Sequence, residues 1–160
     1  MVMSKTLGMQ LHIPVDFIEL ISQAETLQQT LDSIARYVPS MFHSDRASIT
    51  LFDADENKLT VYAFHGNSAI KIGHSFGLEN SLLGRVFISE QTIGVATQDY
   101  PNYEDCCMLL EHGLGSCLDA PLKRNNCCFG TINLGFIDNK TFSESMVERF
   151  TLFANWLASY

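Results

Sequence analysis

Residues 116–137 read SCLDAPLKRNNCCFGTINLGFI, and they predict the β-hairpin on which the rest of the fold is built. Apolar residues alternate with polar or small ones along both arms, which is the two-residue period of a strand with unlike faces. Between the arms, the polar residues 123–126 tolerate positive φ angles and suit a turn. The segment therefore predicts two antiparallel strands joined by a short turn.

The two faces of this hairpin differ in character. One face is typical of a hydrophobic core and carries Leu118, Ala120, Leu122, Cys128, Ile132, Leu134 and Phe136. The other face carries Cys117, Pro121, Phe129 and Gly135 together with three polar residues, Asp119, Thr131 and Asn133. Three polar side chains are too many for a dry core, because each buried polar group needs a hydrogen-bond partner. We therefore predict that Asp119, Thr131 and Asn133 form the floor of a small-molecule pocket.

Composition limits the function classes. A chain of 160 residues with 46% hydrophobic and 18% charged residues is typical of one globular domain. The net charge of −8 argues against contact with nucleic acid or an anionic membrane, which basic clusters would mark. Neither a secretory signal nor an apolar run of about 20 residues is present in the sequence. We expect a cytoplasmic protein.

Five cysteines include two adjacent pairs, Cys106-Cys107 and Cys127-Cys128, and the fifth is Cys117. Their spacing does not match a zinc site. Adjacent strand residues point to opposite faces, so Cys127 and Cys128 are poorly placed to share a metal. We expect reduced thiols that pack as small hydrophobic groups, with a redox role as the alternative.

Both ends of the domain predict amphipathic helices. Residues 1–15 are expected to be a flexible lead-in and residues 16–160 a single domain. Apolar residues recur three and four apart from Phe17 to Met41, with Asp16 as the expected N-cap. Pro39 is expected to kink or end this helix, and a bend near Thr26 would split it in two.

A similar pattern after residue 143 predicts a C-terminal helix, with Thr141 or Ser143 as its cap. The simpler interpretation is that both helices cover the sheet. The alternative is that they also form a parallel dimer contact, in which case polar replacements of Phe150 and Phe153 would abolish self-association. Because the helical pattern continues to Tyr160, we expect a module that leads into a further domain.

Strands and a lid are predicted between the two helices. The strands fall at 46–53, 59–64, 70–76 and 92–96, and a short helix within 79–88 is capped by Asn80 or Ser81. Residues 97–114 form an irregular connection with a short helix at 106–110. A connection this long is unusual unless it serves as a lid or binding loop.

The order of these fragments resembles a GAF domain. The matching fragments are residues 31–53, Phe64-His65-Gly66, SLLGRV at 81–86, TQDYPNY at 97–103, GLGSCLDAPL at 113–122, FGTINLGF at 129–136 and Phe142-Ser143-Glu144. The resemblance implies an α+β fold: a six-stranded antiparallel sheet with the terminal helices on one face and a ligand pocket on the other.

The same resemblance implies a non-catalytic regulatory sensor. Such domains are often homodimeric through their terminal helices and are linked to a signalling output domain. By analogy, the pocket is lined by Phe64, Leu82, Leu83, Asp99, Tyr100 and Tyr103. The aromatic rings would stack on a planar base, and the amides that open the helix at Ser81 would receive a phosphate. The cofactor stays unassigned, since family members bind cyclic nucleotides, tetrapyrroles or small metabolites.

Three alternatives accompany this prediction. Asn139-Lys140 and Phe142 are similar to part of a cyclic-nucleotide signature, but Met146-Val147 stand where it has Asp-Glu. A tetrapyrrole would need an axial histidine such as His65, His74 or His112. A free methionine sulfoxide reductase would need a cysteine in residues 81–86, which hold none. Beside these three, the fourth alternative is a dimerisation or docking module with a vestigial pocket.

Overall fold

A computed structural model describes residues 12–160 as one six-stranded sheet with helices on both faces. In chain order the elements are α1 (Val15–Ser22), α2 (Leu27–Phe42), β1 (Arg46–Asp53), β2 (Lys58–Gly66), β3 (Ser75–Gly77), α3 (Leu82–Ser89), β4 (Ile93–Ala96), a 3-10 turn (Thr97–Asp99), α4 (Glu104–Glu111), β5 (Ser116–Arg124), β6 (Cys127–Phe136) and α5 (Glu144–Ser159). The strand order is β3-β2-β1-β6-β5-β4, with every neighbouring pair antiparallel. This confirms the predicted α+β fold.

The N-terminal helical region is two helices, as the bend near Thr26 predicted. The Thr26 hydroxyl accepts a hydrogen bond from the Gln29 amide at 3.1 Å and so caps α2. Two details of the prediction are wrong. Pro14 precedes α1 where Asp16 was expected, which leaves Asp16 in the first turn. Helix α2 does not end at Pro39 but continues to Phe42, because the burial of Val38 and Phe42 in the core offsets the hydrogen bond that the proline removes.

Helices α1, α2 and α5 pack on one face of the sheet. Ser143 caps α5 by accepting a hydrogen bond from the Met146 amide at 3.1 Å, which decides between the two predicted caps. Phe150 and Phe153 are fully buried in this core beside Phe42, with ring centroids 5.2 and 5.6 Å away. The expectation that they form a dimer contact is therefore wrong. Polar residues at these positions would disrupt the core of the single chain.

The opposite face of the sheet carries the second core. Here α3 and α4 cover the sheet, and the fully buried side chains of this core include Leu59, Phe76, Leu82, Val86, Cys106 and Leu114. The third strand, predicted at 70–76, is limited to Ser75–Gly77. The predicted 18-residue lid contains the 3-10 turn and α4, which we call the lid helix. No helix within residues 12–160 has the length and apolar character needed to cross a membrane.

The central hairpin forms as predicted, with one correction near its turn. Asn125 and Asn126 have φ angles of 54° and 62°, as expected for polar turn residues. The strand register shifts between Leu122 and Lys123, so Cys128 pairs with Lys123 and lies on the lid face. Phe129 moves to the helix face, where it lies in a groove with Leu122. Strict alternation had placed both residues on the wrong faces, because a bulge shifts the two-residue period by one.

The lead-in predicted for residues 1–15 lies largely outside the described residues. Within them, helix α1 begins at Val15.

Candidate functional site

A small cavity lies between the sheet and the lid helix. Its volume is about 20 Å³, which is room for roughly one water molecule. It is lined by Arg46, Ser48, Val61, Ile70, Leu83, Asp105, Leu109, Asp119, Asn133, Leu134 and Gly135. The cavity is therefore lined by charged, polar and apolar side chains together.

The floor of the cavity is built from cross-strand neighbours. Asp119 of β5 pairs with Asn133 of β6, which in turn pairs with Ser48 of β1. In the next row on the same face, Cys117 of β5 pairs with Gly135 of β6, which in turn pairs with Arg46 of β1. Because side chains that are paired across strands lie on the same face, these residues form two adjacent rows under the lid.

Asn133 has an acceptor without a partner. Its Nδ2 donates to the backbone oxygen of Ser48 at 3.4 Å and to the Ser48 hydroxyl at 3.1 Å. These bonds fix the orientation of the amide, and Oδ1 is buried with no hydrogen-bond partner in the described chain. An unpaired buried acceptor is costly, so this atom marks a place where a donor from outside the chain would be stabilising.

Arg46 and Asp119 place a guanidinium and a carboxyl group in this buried site. Burial lowers the pKa of Arg46 to about 10, although Asp119 acts to raise it. Burial also raises the pKa of Asp119 well above its ordinary value, and Asp105 raises it further, while Arg46 opposes both effects. The guanidinium donates to backbone oxygens of Asn67 and Ile70, the latter at 2.7 Å. The positive charge of Arg46 is thus bound mainly to backbone carbonyls.

Asp105 joins the lid helix to α3. Its two carboxylate oxygens accept hydrogen bonds from the amides of Leu82 and Leu83, both at 3.0 Å. Burial raises the pKa of Asp105, and these amides act to lower it. Ser81 completes the cap by accepting from the Gly84 amide at 2.9 Å. The predicted phosphate site at this helix start is therefore already filled by a carboxylate of the chain itself.

The predicted site residues fall into three groups. Leu83, Asp119 and Asn133 line the cavity. Thr131 lies on the same face but bonds to the Thr50 hydroxyl at 2.6 Å, and Leu82 is buried in the second core. Phe64 lies under the Arg46 guanidinium, with 4.6 Å from the guanidinium carbon to the ring centroid.

The remaining three predicted residues lie outside the cavity. Asp99 and Tyr100 line an open surface groove with Gly94 and Phe142. Tyr103 stacks on Tyr100 with ring centroids 5.4 Å apart. These aromatic rings therefore stack on each other outside the enclosed site.

Three polar residues of the site were not predicted from the sequence: Arg46, Ser48 and Asp105. Arg46 and Ser48 are two residues apart on β1, so they lie on the same face of the strand. A charged and a polar residue on one face of a strand was the signal that could have predicted them as site residues. Asp105 carried no comparable signal, because an acid in a predicted lid is ordinarily solvent-exposed.

Two thiols meet at the edge of the site. Cys106 of the lid helix and Cys117 of β5 are both buried. A hydrogen bond between their side chains is the largest cause of the raised pKa of Cys117, followed by burial. Within residues 12–160 all cysteines are free thiols, and no cluster of His, Cys, Asp and Glu is suited to a metal ion.

The histidines considered for a tetrapyrrole lie away from the cavity. His65 and His112 are exposed. His74 is half-buried and lies 3.4 Å from the Glu104 carboxylate at the start of the lid helix. It contributes to the closure of the lid rather than to the lining.

Comparison with known proteins identifies this architecture. The family model of the GAF domain matches residues 26–160. The chain belongs to the GAF domain family. No curated protein matches it by sequence.

Solved GAF structures share the fold at low sequence identity. The GAF domain of a phosphoenolpyruvate-protein phosphotransferase from Coxiella burnetii has a TM-score of 0.77 at 19% identity, covering 89% of this chain and 86% of that chain. The free methionine-R-sulfoxide reductase from Neisseria meningitidis, in complex with its substrate, has a TM-score of 0.73 at 14% identity, covering 94% and 92%. The phycocyanobilin-bound GAF domain of a cyanobacterial phytochrome has a TM-score of 0.69 at 20% identity, covering 89% and 88%. The TM-scores establish a shared fold, and at such low sequence identity these structures show the fold alone.

Proposed function

We propose that this GAF domain is a non-catalytic sensor that binds a small metabolite between the sheet and the lid helix. The observation that carries the proposal is the small cavity beneath the lid helix, which Asp119 and Asn133 help to line, together with the unpartnered Oδ1 of Asn133. Two GAF-fold proteins of similar structure have small molecules bound, the reductase with its substrate and the phytochrome domain with phycocyanobilin. A cyclic nucleotide fits less well, because the amides at the start of α3 already bind Asp105.

Binding requires the lid helix to move. The closed cavity holds about one water molecule, so a metabolite needs a larger space. The lid helix is held at its ends by accessible polar contacts, the His74–Glu104 pair and a 3.0 Å bond from Asn67 Nδ2 to the His112 carbonyl. Exposed contacts of this kind contribute little free energy, so the main restraint on opening is the pair of buried bonds from Asp105 to the amides of α3.

The signal passes through the sheet to the terminal helices. Strands β5 and β6 present Asp119 and Asn133 to the cavity, and their opposite face packs against α5 through the core that contains Phe150. A ligand shifts this packing only if it binds one arrangement more tightly than the other. Trp156 of α5, the single tryptophan, packs against Phe17 of α1 with ring centroids 6.2 Å apart. A change in its fluorescence on ligand binding would support transmission, and an unchanged spectrum at saturation would contradict it.

We test the site with a thermal-shift screen of metabolites against three proteins. Leu109 of the lid helix lines the cavity, whereas the adjacent Leu110 is 45% exposed. Leu109→Phe fills the cavity, and Leu110→Phe adds the same group on the surface. A ligand of the cavity raises the melting temperature of the wild type and of Leu110→Phe, and it loses its effect on Leu109→Phe. Equal shifts in all three proteins would place binding elsewhere.

The absence of catalysis is also part of the proposal. The Cys106–Cys117 pair is the observation that favours the alternative, a methionine sulfoxide reductase. The raised pKa of the Cys117 thiol argues for the non-catalytic function, since the thiolate is the nucleophile. Loss of methionine sulfoxide in the presence of the purified protein and a thiol reductant would overturn the non-catalytic proposal.

Homodimerisation, a linked output domain and a cytoplasmic location remain proposals. Contacts between terminal helices would have to use exposed residues, such as Leu27 at 64% and Tyr160 at 52% exposure. Size-exclusion chromatography with light scattering tests this. A dimer that Leu27→Ser weakens supports the contact, and a monomer at high protein concentration contradicts it.

A further inference from the structure

The polar lining of the cavity is richer in acceptors than in donors. Asn133 presents its unpartnered Oδ1, because its Nδ2 is used by Ser48. Asp119, on the neighbouring strand, is only 3% exposed and lines the same cavity. No backbone or side-chain hydrogen bond contributes to its pKa, which reflects burial and the charges of Asp105 and Arg46. Two adjacent groups of the floor therefore offer oxygen acceptors to a ligand.

Several hydrogen-bond donors near the cavity already have partners within the chain. Both terminal nitrogens of the Arg46 guanidinium donate to backbone carbonyls. The amides of Leu82 and Leu83 donate to Asp105. An anion entering the cavity would meet two carboxyl groups, Asp105 and Asp119, with only the partly engaged guanidinium of Arg46 to balance them. A ligand with a carboxylate or phosphate is disfavoured for that reason.

Charge neutrality favours a cation. Burial and the neighbouring Asp105 raise the pKa of Asp119, which favours its protonated form over the carboxylate. A cationic ligand that replaces the proton of Asp119 leaves the net charge of the site unchanged, since Asp119 then becomes a carboxylate. A protonated amine has several N–H donors, which suit both the Asp119 carboxylate and Asn133 Oδ1.

We propose that the cavity binds the ammonium group of a small aliphatic amine, which donates to Asp119 and to Asn133 Oδ1. This inference rests on the proposed sensor function and names the class of its ligand. The rest of the lining is apolar and comes from Val61, Ile70, Leu83 and Leu109, which suits a short hydrocarbon chain. The ammonium lies against the sheet, and the hydrocarbon chain lies under the lid helix.

Binding of the amine is linked to proton release. The proton of the Asp119 carboxyl leaves to solvent as the ammonium enters, so no other reactant is needed. Asp119 is faced by Arg46 from β1 and by Asp105 and Cys106 from the lid helix, with Cys117 on its own strand. Affinity should therefore rise with pH up to the raised pKa of Asp119 and level off above it.

Isothermal titration calorimetry with three probes of similar shape tests the ligand class. The probes are butylammonium chloride, 1-butanol and sodium butyrate, which differ in charge. We expect butylammonium to bind at least about tenfold more tightly than the other two, and to release protons in buffers of different ionisation enthalpy. Asp119→Asn removes the charge at constant shape and should weaken butylammonium binding by about tenfold or more. Asp99→Asn, an exposed acid outside the cavity, is the matched control and should leave binding unchanged.

The outcomes separate this inference from the sensor function. Equal or tighter binding of butanol or butyrate, or unchanged butylammonium binding by Asp119→Asn, would overturn the cation site. If a neutral or anionic metabolite then binds the wild type and not Leu109→Phe, the sensor function stands without the cation. If neither the three probes nor the wider metabolite screen binds, both are overturned.

Discussion

Asp105 and Leu82 are joined by a hydrogen bond of 3.0 Å that ties the lid helix to the start of α3. The second carboxylate oxygen of Asp105 binds the amide of Leu83 at the same distance. A side chain of the lid helix thus helps to cap the N-terminus of α3, whose amides lie 22 and 23 residues earlier in the chain. The position of the lid and the integrity of α3 therefore depend on one carboxylate.

Asp105→Ala should destabilise the domain by about 2–4 kcal/mol, since it removes a helix cap and leaves buried amides without acceptors. Urea unfolding followed by circular dichroism measures the change. Glu111→Ala, at the exposed end of the same helix, is the control and should stay within about 0.5 kcal/mol of the wild type. A similarly small effect for Asp105→Ala would show that the cap is dispensable.

Asp119 should make stability fall as pH rises. Its pKa in the folded domain is raised well above the ordinary 3.8, so between these values the native state holds a proton that the unfolded state has lost. Each pH unit in that window costs about 1.4 kcal/mol of unfolding free energy. Asp119→Asn cannot ionise and should lose less stability from pH 4 to neutral. Parallel pH curves for the two proteins would contradict the raised pKa.

Much of the fold was predictable because it follows from local periodicity. The hairpin faces, the Ser143 cap and the break at Thr26 are each visible within a few residues of sequence. The bulge that moved Cys128 and Phe129 was not predictable, since it depends on the pairing of two whole strands. Sequence patterns alone do not fix such a register shift.

The site was predictable only in part. Asp119 and Asn133 were correctly placed on one strand face, because alternation determines the side of a sheet. Tyr100 and Tyr103 were expected in the pocket and lie outside it, since a lid has no period from which to infer the direction of a side chain. Asp105 was missed for a related reason: its partners are amides of a helix that lies elsewhere in the sequence.

Gly84→Ala should destabilise the start of α3. A methyl group at residue 84 would come within 2.0 Å of the Leu78 carbonyl oxygen, which is backbone and cannot rotate away. We expect a loss of about 1–3 kcal/mol through the shift that relieves this overlap. Thermal unfolding measures the loss, with Ile88→Ala on the exposed side of the same helix as control. Equal melting temperatures for Gly84→Ala and the wild type would contradict the close packing of α3 against residue 78.

Thiol reactivity should report the state of the lid. Cys127 is exposed and Cys107 is half-exposed, whereas Cys106, Cys117 and Cys128 are buried. A maleimide reagent should modify Cys127 and Cys107 quickly and the other three slowly, as peptide mass spectrometry of the native protein would show. Fast modification of Cys106 would mean that the lid helix is open much of the time.

The comparison of Leu109→Phe with Leu110→Phe decides whether a metabolite binds beneath the lid helix. For a metabolite that stabilises the wild type, we expect a shift of melting temperature that is kept in Leu110→Phe and lost in Leu109→Phe. A shift of the same size in both variants would contradict binding in the cavity.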